Sequence, residues 1–181
     1  MRLERLKQEY APETALDWKA YPLVIGNIHG RRFGAYLAQA WARAGQEEPT
    51  ITFQPWTAFV DLPSSSLPAL EAAKCAELQG QDAFERYHKA LFRAYFEQSR
   101  DISRREVLVS LAEEAGLNTR KLTSDLDKGG VKEQVLADYR NAKELGTFTG
   151  IPTVIFPGGA QLEGAVPADM YRHIIEQLLN K

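Results

Sequence analysis

Few side chains in this sequence are equipped for chemistry, and their spacing narrows the field. Cys75 is the only cysteine. A lone thiol makes no intrachain disulfide, no Cys-X-X-Cys pair and no cysteine zinc site. Cys75 lies among Ala72, Ala73 and Ala76, with only Lys74 adding positive charge beside it. A reactive thiol needs exposure and nearby cations, so Cys75 reads as a small buried hydrophobe. His29, His88 and His173 are too far apart for a local metal motif. His88 falls between Tyr87 and Leu91 on an apolar pattern and reads as a core or boundary residue. His173 reads as solvated. His29, within Gly26-Asn27-Ile28-His29-Gly30, is a loop residue that could reach a site. Gly158-Gly159 is turn chemistry and lacks the spacing and following helix of a phosphate loop. Arg104-Arg105 is a solvated helix start. Trp18, Trp41 and Trp56, with Tyr36 and Phe59, read as core and loop anchors before they read as the wall of a groove.

Composition bounds what these residues can serve. At 181 residues, the chain is one domain, or one domain carrying an insertion. Apolar residues make up 44% and charged residues 25%, enough to build a core and to exclude wholesale disorder. Twenty-two Lys and Arg against 24 Asp and Glu leave a net charge of −2. That balance creates no field for nucleic acid or an anionic membrane. The apolar runs are too short for a transmembrane helix. The opening MRLERLKQEY carries charge where a signal peptide needs an apolar stretch, so the expected location is the cytoplasm.

The elements follow from periodicity. Residues 1–10 read as a helix without a start signal, closed by Pro12. Thr14–Val24 alternates Leu16, Trp18 and Ala20 with Asp17 and Lys19, a strand pattern, with Pro22 confining it to an edge or an end. Residues 26–63 are the least regular. Phe33, Tyr36, Leu37, Ala40 and Trp41 suit one short helix ending at Gly45, and 51–60 suits an ordered loop. From Ser66 the pattern is helical: 67–79 stopped by Gly80, a helix to Phe96 capped by Asp82, then Ser103–Glu106 as a capping box before Val107–Ala115. A short helix starting at Asn118 or Thr119 follows, and another over about 130–145. Then the period changes. Thr153–Phe156 is β-branched and apolar, Pro157-Gly158-Gly159 is a turn, and 160–164 returns as the second arm of a hairpin. Pro167 opens a closing amphipathic helix.

Two stretches carry a resemblance. One is Gly150-Ile151-Pro152-Thr153-Val154-Ile155-Phe156, between a long helix and a hairpin. The other is 67–150, with AAKCAELQGQDAFERYHKALFRAYFEQSRDIS and SLAEEAGLNTRKL. Together they resemble the thioredoxin-like family of DsbA-type dithiol–disulfide oxidoreductases. The 2-hydroxychromene-2-carboxylate isomerases and kappa-class glutathione transferases share that architecture. The resemblance covers nearly the whole chain and is strongest from about residue 65 onward.

The resemblance implies an α/β thioredoxin-like fold with an inserted α-helical domain. Residues 1–62 and 147–181 would form the thioredoxin-like part, and 63–146 the insertion. It implies that Pro152 is cis and that Gly150, Ile151 and Pro152 bind substrate, the Ile151 backbone pairing with an extended chain or with glutathione. It also implies a Cys-X-X-Cys or Cys-X-X-Ser at a helix N-terminus, where the helix dipole favours a thiolate. No such motif is in this sequence. Residues 1–10 match the helix that follows it, which puts the first β-strand and the motif upstream of Met1, about 20–25 residues by ordinary element lengths. The fold as read therefore lacks its first strand, with strand edges left open that could support a homodimer. The chain contains no catalytic residue by this reading and is expected to be redox-inactive. The family activity is disulfide exchange with a disulfide-bearing protein or small thiol, with no cofactor except glutathione as a co-substrate. A glutathione-dependent isomerase or transferase, and a non-catalytic peptide-binding module, stand as alternatives. No metal, nucleic acid or membrane partner is expected.

Overall fold

The computed structural model describes residues 2–49, 51–146 and 150–180. Eight helices and one hairpin are formed among them: α1 (Arg2–Glu9), α2 (Ala35–Glu47), α3 (Leu67–Glu77), α4 (Gln81–Phe96), α5 (Arg105–Glu114), α6 (Thr119–Lys128), α7 (Gly130–Leu145), β1 (Thr153–Ile155), β2 (Gln161–Glu163) and α8 (Ala168–Leu179). Two compact units result, Lys19–Arg140 and Met1–Trp18 with Asn141–Lys181. The junction expected at 146–147 runs into residues 147–149, outside the described residues.

The Lys19–Arg140 unit is helix packed on helix. α3 presents small residues on most of its surface, with Ala72, Cys75 and Ala76 fully buried, which lets α4, α5 and α6 approach it closely. Larger side chains complete the core: Phe84, Tyr87 and Leu91 from α4, Leu108 and Leu111 from α5, and Leu122 from α6. Tyr87 brings a hydroxyl into this apolar interior and donates it to the Leu108 carbonyl at 3.0 Å. Without that bond the buried hydroxyl would be costly. A second cluster is aromatic. Trp41 stands edge-on to Phe33 and Tyr95, with centroid separations of 4.8 Å and 5.6 Å, and is tilted against Phe53 and Phe96. Trp56 is buried beside it and donates its indole N–H to the Tyr95 carbonyl at 3.1 Å. Tyr36 and Phe59, by contrast, point into solvent.

In the other unit, α1 packs on α8 and buries Leu6 and Tyr171. Arg172 clamps the Glu9 carboxylate with two hydrogen bonds, and Tyr10 donates to Glu176.

Several local expectations are corrected. Thr14–Val24 is not a strand. Its alternation is real, since Leu16, Trp18, Ala20 and Pro22 are more buried than Ala15, Asp17, Lys19 and Leu23. What it lacks is a ladder. The Ala20 N–H donates to Asp138 on α7 at 3.0 Å, and the Val24 N–H to the Ser66 hydroxyl at 2.9 Å. Pro22 has no N–H at all. α2 runs past Gly45 to Glu47, and Gly45 does not end it. The Phe53 ring lies against that glycine, where a Cβ would stand 3.6 Å from it. Asp82 does not cap α4: Gly80 holds the cap position, and Asp82 lies in the first turn. The Ser103–Glu106 capping box does not form. The Ser103 hydroxyl bonds to Asp101 and accepts from Ser64, while Glu106 pairs with Arg104. Asp101 accepts the Ser103 backbone N–H at 2.9 Å, the bond that Glu106 would make in a capping box, and Arg104 holds the α5 cap position in place of Ser103. Asn118 does cap α6, accepting from the Lys121 N–H at 3.0 Å.

Candidate functional site

The proline loop is built by the hairpin that follows it. Pro157-Gly158-Gly159 turns the chain, with positive φ at both glycines, a conformation that disfavours any side chain with a Cβ. That turn sets the register. The Phe156 N–H donates to the Ala160 carbonyl at 2.8 Å, and the Gly164 N–H to the Pro152 carbonyl at 2.8 Å. β1 and β2 pair antiparallel, with Thr153 opposite Glu163, Val154 opposite Leu162 and Ile155 opposite Gln161. Hydrogen-bonded and non-hydrogen-bonded pairs alternate in an antiparallel ladder. Pro152, Val154 and Phe156 therefore face β2 with their backbone groups, and Thr153 and Ile155 turn theirs to the opposite edge.

The Ile151–Pro152 bond is cis. Its flanks are held on both sides. The Thr153 hydroxyl donates to the Gly150 carbonyl at 2.8 Å, and Gly150 lies against the Gly164 backbone. Beyond β2, the Val166 carbonyl accepts from the Arg2 guanidinium, and the Tyr171 hydroxyl reaches the Gly164 carbonyl at 3.5 Å. Burial pushes the Tyr171 phenol above its ordinary range, so it stays a neutral donor.

This arrangement brings Gly150, Ile151 and Pro152 together with Thr153 and Ile155 along one edge. Ile151 and Ile155 are nearly half exposed, at 47% and 45%. Among the described residues no hydrogen bond occupies the Ile151 backbone and no third strand joins β1. The two edges of the hairpin differ. β2 guards its side with Gln161 and Glu163, joined by a hydrogen bond of 3.2 Å. β1 offers Thr153 and Ile155. An open edge with apolar side chains invites pairing, and a charged one discourages it. Thr153 and Ile155 were not singled out by sequence. The signal was present, because a three-residue turn at 157–159 fixes which backbone groups face outward.

The other candidates lie elsewhere. Cys75 is fully buried in the helical core, and burial pushes its thiol up to about 11, with Asp125 and Glu71 adding to the effect. It is a protonated packing residue. His88 is wedged between Phe84 and Phe92, with ring centroids 5.1 Å and 4.9 Å away, and burial lowers its ionisation to about 4. It is neutral at physiological pH and offers no acid. His29 is exposed on its loop, and His173 is exposed on α8 beside Gln177. No group of three metal-ligating side chains occurs among the described residues, and none of the described helices is long and apolar enough to cross a membrane.

Comparison with known proteins places this geometry. A curated relative, the ClpXP adapter protein SpxH of Halalkalibacterium halodurans, is 30% identical over 98% of this chain and 61% of its own length. The protein of the same name from Bacillus subtilis is 25% identical over 84% of this chain and 53% of its own. The chain thus spans about three-fifths or less of the length of these relatives. Among solved structures, a candidate protein disulfide isomerase from Nitrosomonas europaea superposes with a TM-score of 0.78. It covers 99% of this chain and 88% of its own, at 17% identity. The cytosolic disulfide reductase DsbM from Pseudomonas aeruginosa superposes at 0.62, over 86% of this chain and 82% of its own, at 20% identity. At such identities the likeness is one of fold. The model of the DSBA-like thioredoxin domain matches residues 1–176. A hairpin behind a proline loop, flanked by helices and accompanied by a helical unit, is that fold, and the chain belongs to the DSBA-like thioredoxin domain family.

Proposed function

We propose that this chain is a non-redox, protein-binding module on a DsbA-like scaffold. It takes an extended segment of a partner along the open edge of β1, with Gly150, Ile151 and Pro152 as the entry of that edge. The observation that carries this reading is the pairing phase of β1, which leaves the backbone groups of Thr153 and Ile155 outward on an apolar edge. Adding a strand at such an edge gives affinity through main-chain bonds and specificity through alternate side chains. The buried Cys75 supports the non-redox part, since dithiol exchange needs two accessible sulfurs. The relatives named as ClpXP adapters support a role in which the bound segment belongs to a protein. In this reading residues 1–62 and 147–181 form the thioredoxin-like part and 63–146 the helical insertion, and the protein works in the cytoplasm.

Glutathione is a second ligand for the same edge, because DsbM is also known as a structure with GSH. Glutathione is itself an extended peptide and would use the Ile151 backbone. Disulfide exchange would require a thiol other than the buried Cys75.

The test is an array of cysteine-free, β-branched peptides against the purified chain, followed by titration of the best binder. Ile155→Pro removes one outward N–H and leaves every bond to β2 in place. Loss of one such bond should weaken binding about tenfold, or about 1.4 kcal/mol. Binding should persist in Cys75→Ala. Failure of every peptide, or equal affinity for Ile155→Pro, would overturn the proposal.

A further inference from the structure

A second feature lies in the helical unit and takes no part in the edge of β1. α4 and the end of α5 enclose a groove of about 420 Å³, lined by Arg86, Lys89 and Arg93, with Ala90 and the buried Leu111 as its apolar floor. The three cations follow one another at intervals of three and four residues. That spacing puts them on one face of α4, over about 10 Å of helix. All three are exposed, and no carboxylate among the described residues pairs with any of them. Arg86 is held in place, donating from Nε to the Ala115 carbonyl at 2.9 Å, which leaves the two terminal amino groups of its guanidinium free to turn to a ligand. The one carboxylate in the lining, Glu114, is already matched: Arg100 reaches both of its oxygens at 3.0 Å, and Ser110 donates to it at 2.9 Å. The groove therefore presents three positive side chains, none of them in an ion pair among the described residues, beside an apolar floor.

The acids around this strip also limit what can bind. Asp82 lies four residues before Arg86, Glu85 four before Lys89, and Glu97, the residue that ends α4, four after Arg93. The positive strip is bounded by a negative charge at each end. A long polyanion such as nucleic acid would run its phosphates into both. A short segment with two or three carboxylates would not.

We propose that this groove is a docking site for a short acidic peptide segment of a partner protein. The segment presents Asp or Glu side chains over about 10 Å, either two turns of a helix or about four residues of extended chain, with a small apolar side chain between them seated on Ala90. Charge-paired contacts of this kind set partner choice and association rate, and they weaken with salt.

The test uses a fluorescent alanine-based peptide with glutamates at alternating three- and four-residue spacing. Its glutamine counterpart and a single-stranded oligonucleotide of equal charge serve as competitors. The chain should bind the glutamate peptide, more weakly as salt rises, and should ignore both competitors. Reversing Lys89→Glu with Arg93→Glu should lower affinity on the order of tenfold or more, and the milder Arg93→Gln should lower it less. Lys132→Glu, an exposed reversal on α7, should change nothing. The substituted side chains are all exposed, and circular dichroism checks that the helices persist. Absence of binding, equal binding by the double reversal, or effective competition by the oligonucleotide would each overturn the proposal.

Discussion

The thiol of Cys75 should be inert in the folded protein, and the degree of inertness follows from its surroundings. It lies at the junction of α3 with its neighbours, fully shielded from solvent, and its ionisation is pushed up to about 11 by burial and by Asp125 and Glu71. At neutral pH about one molecule in ten thousand would hold a thiolate, against about one in thirty for an ordinary thiol. The chemical handicap alone is about three-hundredfold. Shielding adds to it, because a reagent must wait for the helices to part. Labelling with N-ethylmaleimide, followed by intact mass, measures this directly. Native protein should react more than two orders of magnitude more slowly than protein in guanidinium. Labelling of the native protein at the unfolded rate would refute the packing argument and, with it, the claim that this sulfur has no chemistry. Cys75→Ala is the proper thiol-free variant, since Cys75→Ser would bury a hydroxyl at a cost of about 1–3 kcal/mol.

Other consequences are open to measurement. His88 ionises near 4 in the fold because burial opposes its charge, while the unfolded chain binds that proton near 6.5. Stability is therefore full above the unfolded value and is lost as pH falls towards about 4, by at most about 3 kcal/mol. Urea melts of wild type and His88→Gln across that range should converge at low pH, and parallel curves would sink the assignment. Tyr87→Phe removes the buried bond to the Leu108 carbonyl and should cost about 1 kcal/mol, read as a lowered Tm. Gly45→Ala should stabilise the protein by about 0.5–1 kcal/mol, because Gly45 is interior to α2 and the added Cβ meets Phe53 at ordinary contact distance. A lower Tm for Gly45→Ala would mean that Phe53 cannot tolerate even that contact.

The helices were legible in sequence because their signals are local. The apolar faces of α4 and α8, the Asn118 cap and the stop at Gly80 each rest on residues within a turn or two of one another. The hairpin was legible for the same reason, through its β-branched run and its Pro-Gly-Gly turn. Thr14–Val24 misled because alternation reports only which side chains are buried. Whether that burial comes with a ladder depends on residues far away, Ser66 and Asp138, which no local window contains. The capping box failed through a competitor, Asp101, that the four-residue motif does not include. The candidate edge was half visible. Proline 152 marked its start, but the outward phase of Thr153 and Ile155 emerges only when the register from the turn is carried back along β1.

The side-chain clamps on Ala20 and Val24 also imply an order of assembly. Their partners lie 118 and 42 residues further on, at Asp138 and Ser66. Contacts that span so much chain form only after the closure entropy has been met by other interactions. The helices of the Lys19–Arg140 unit, rich in near-neighbour contacts, can supply that framework first. During synthesis Ala20 and Val24 leave the ribosome long before Asp138 has been added. A segment that emerges among the first thus reaches its place among the last, and until then its apolar side chains need shelter from other chains.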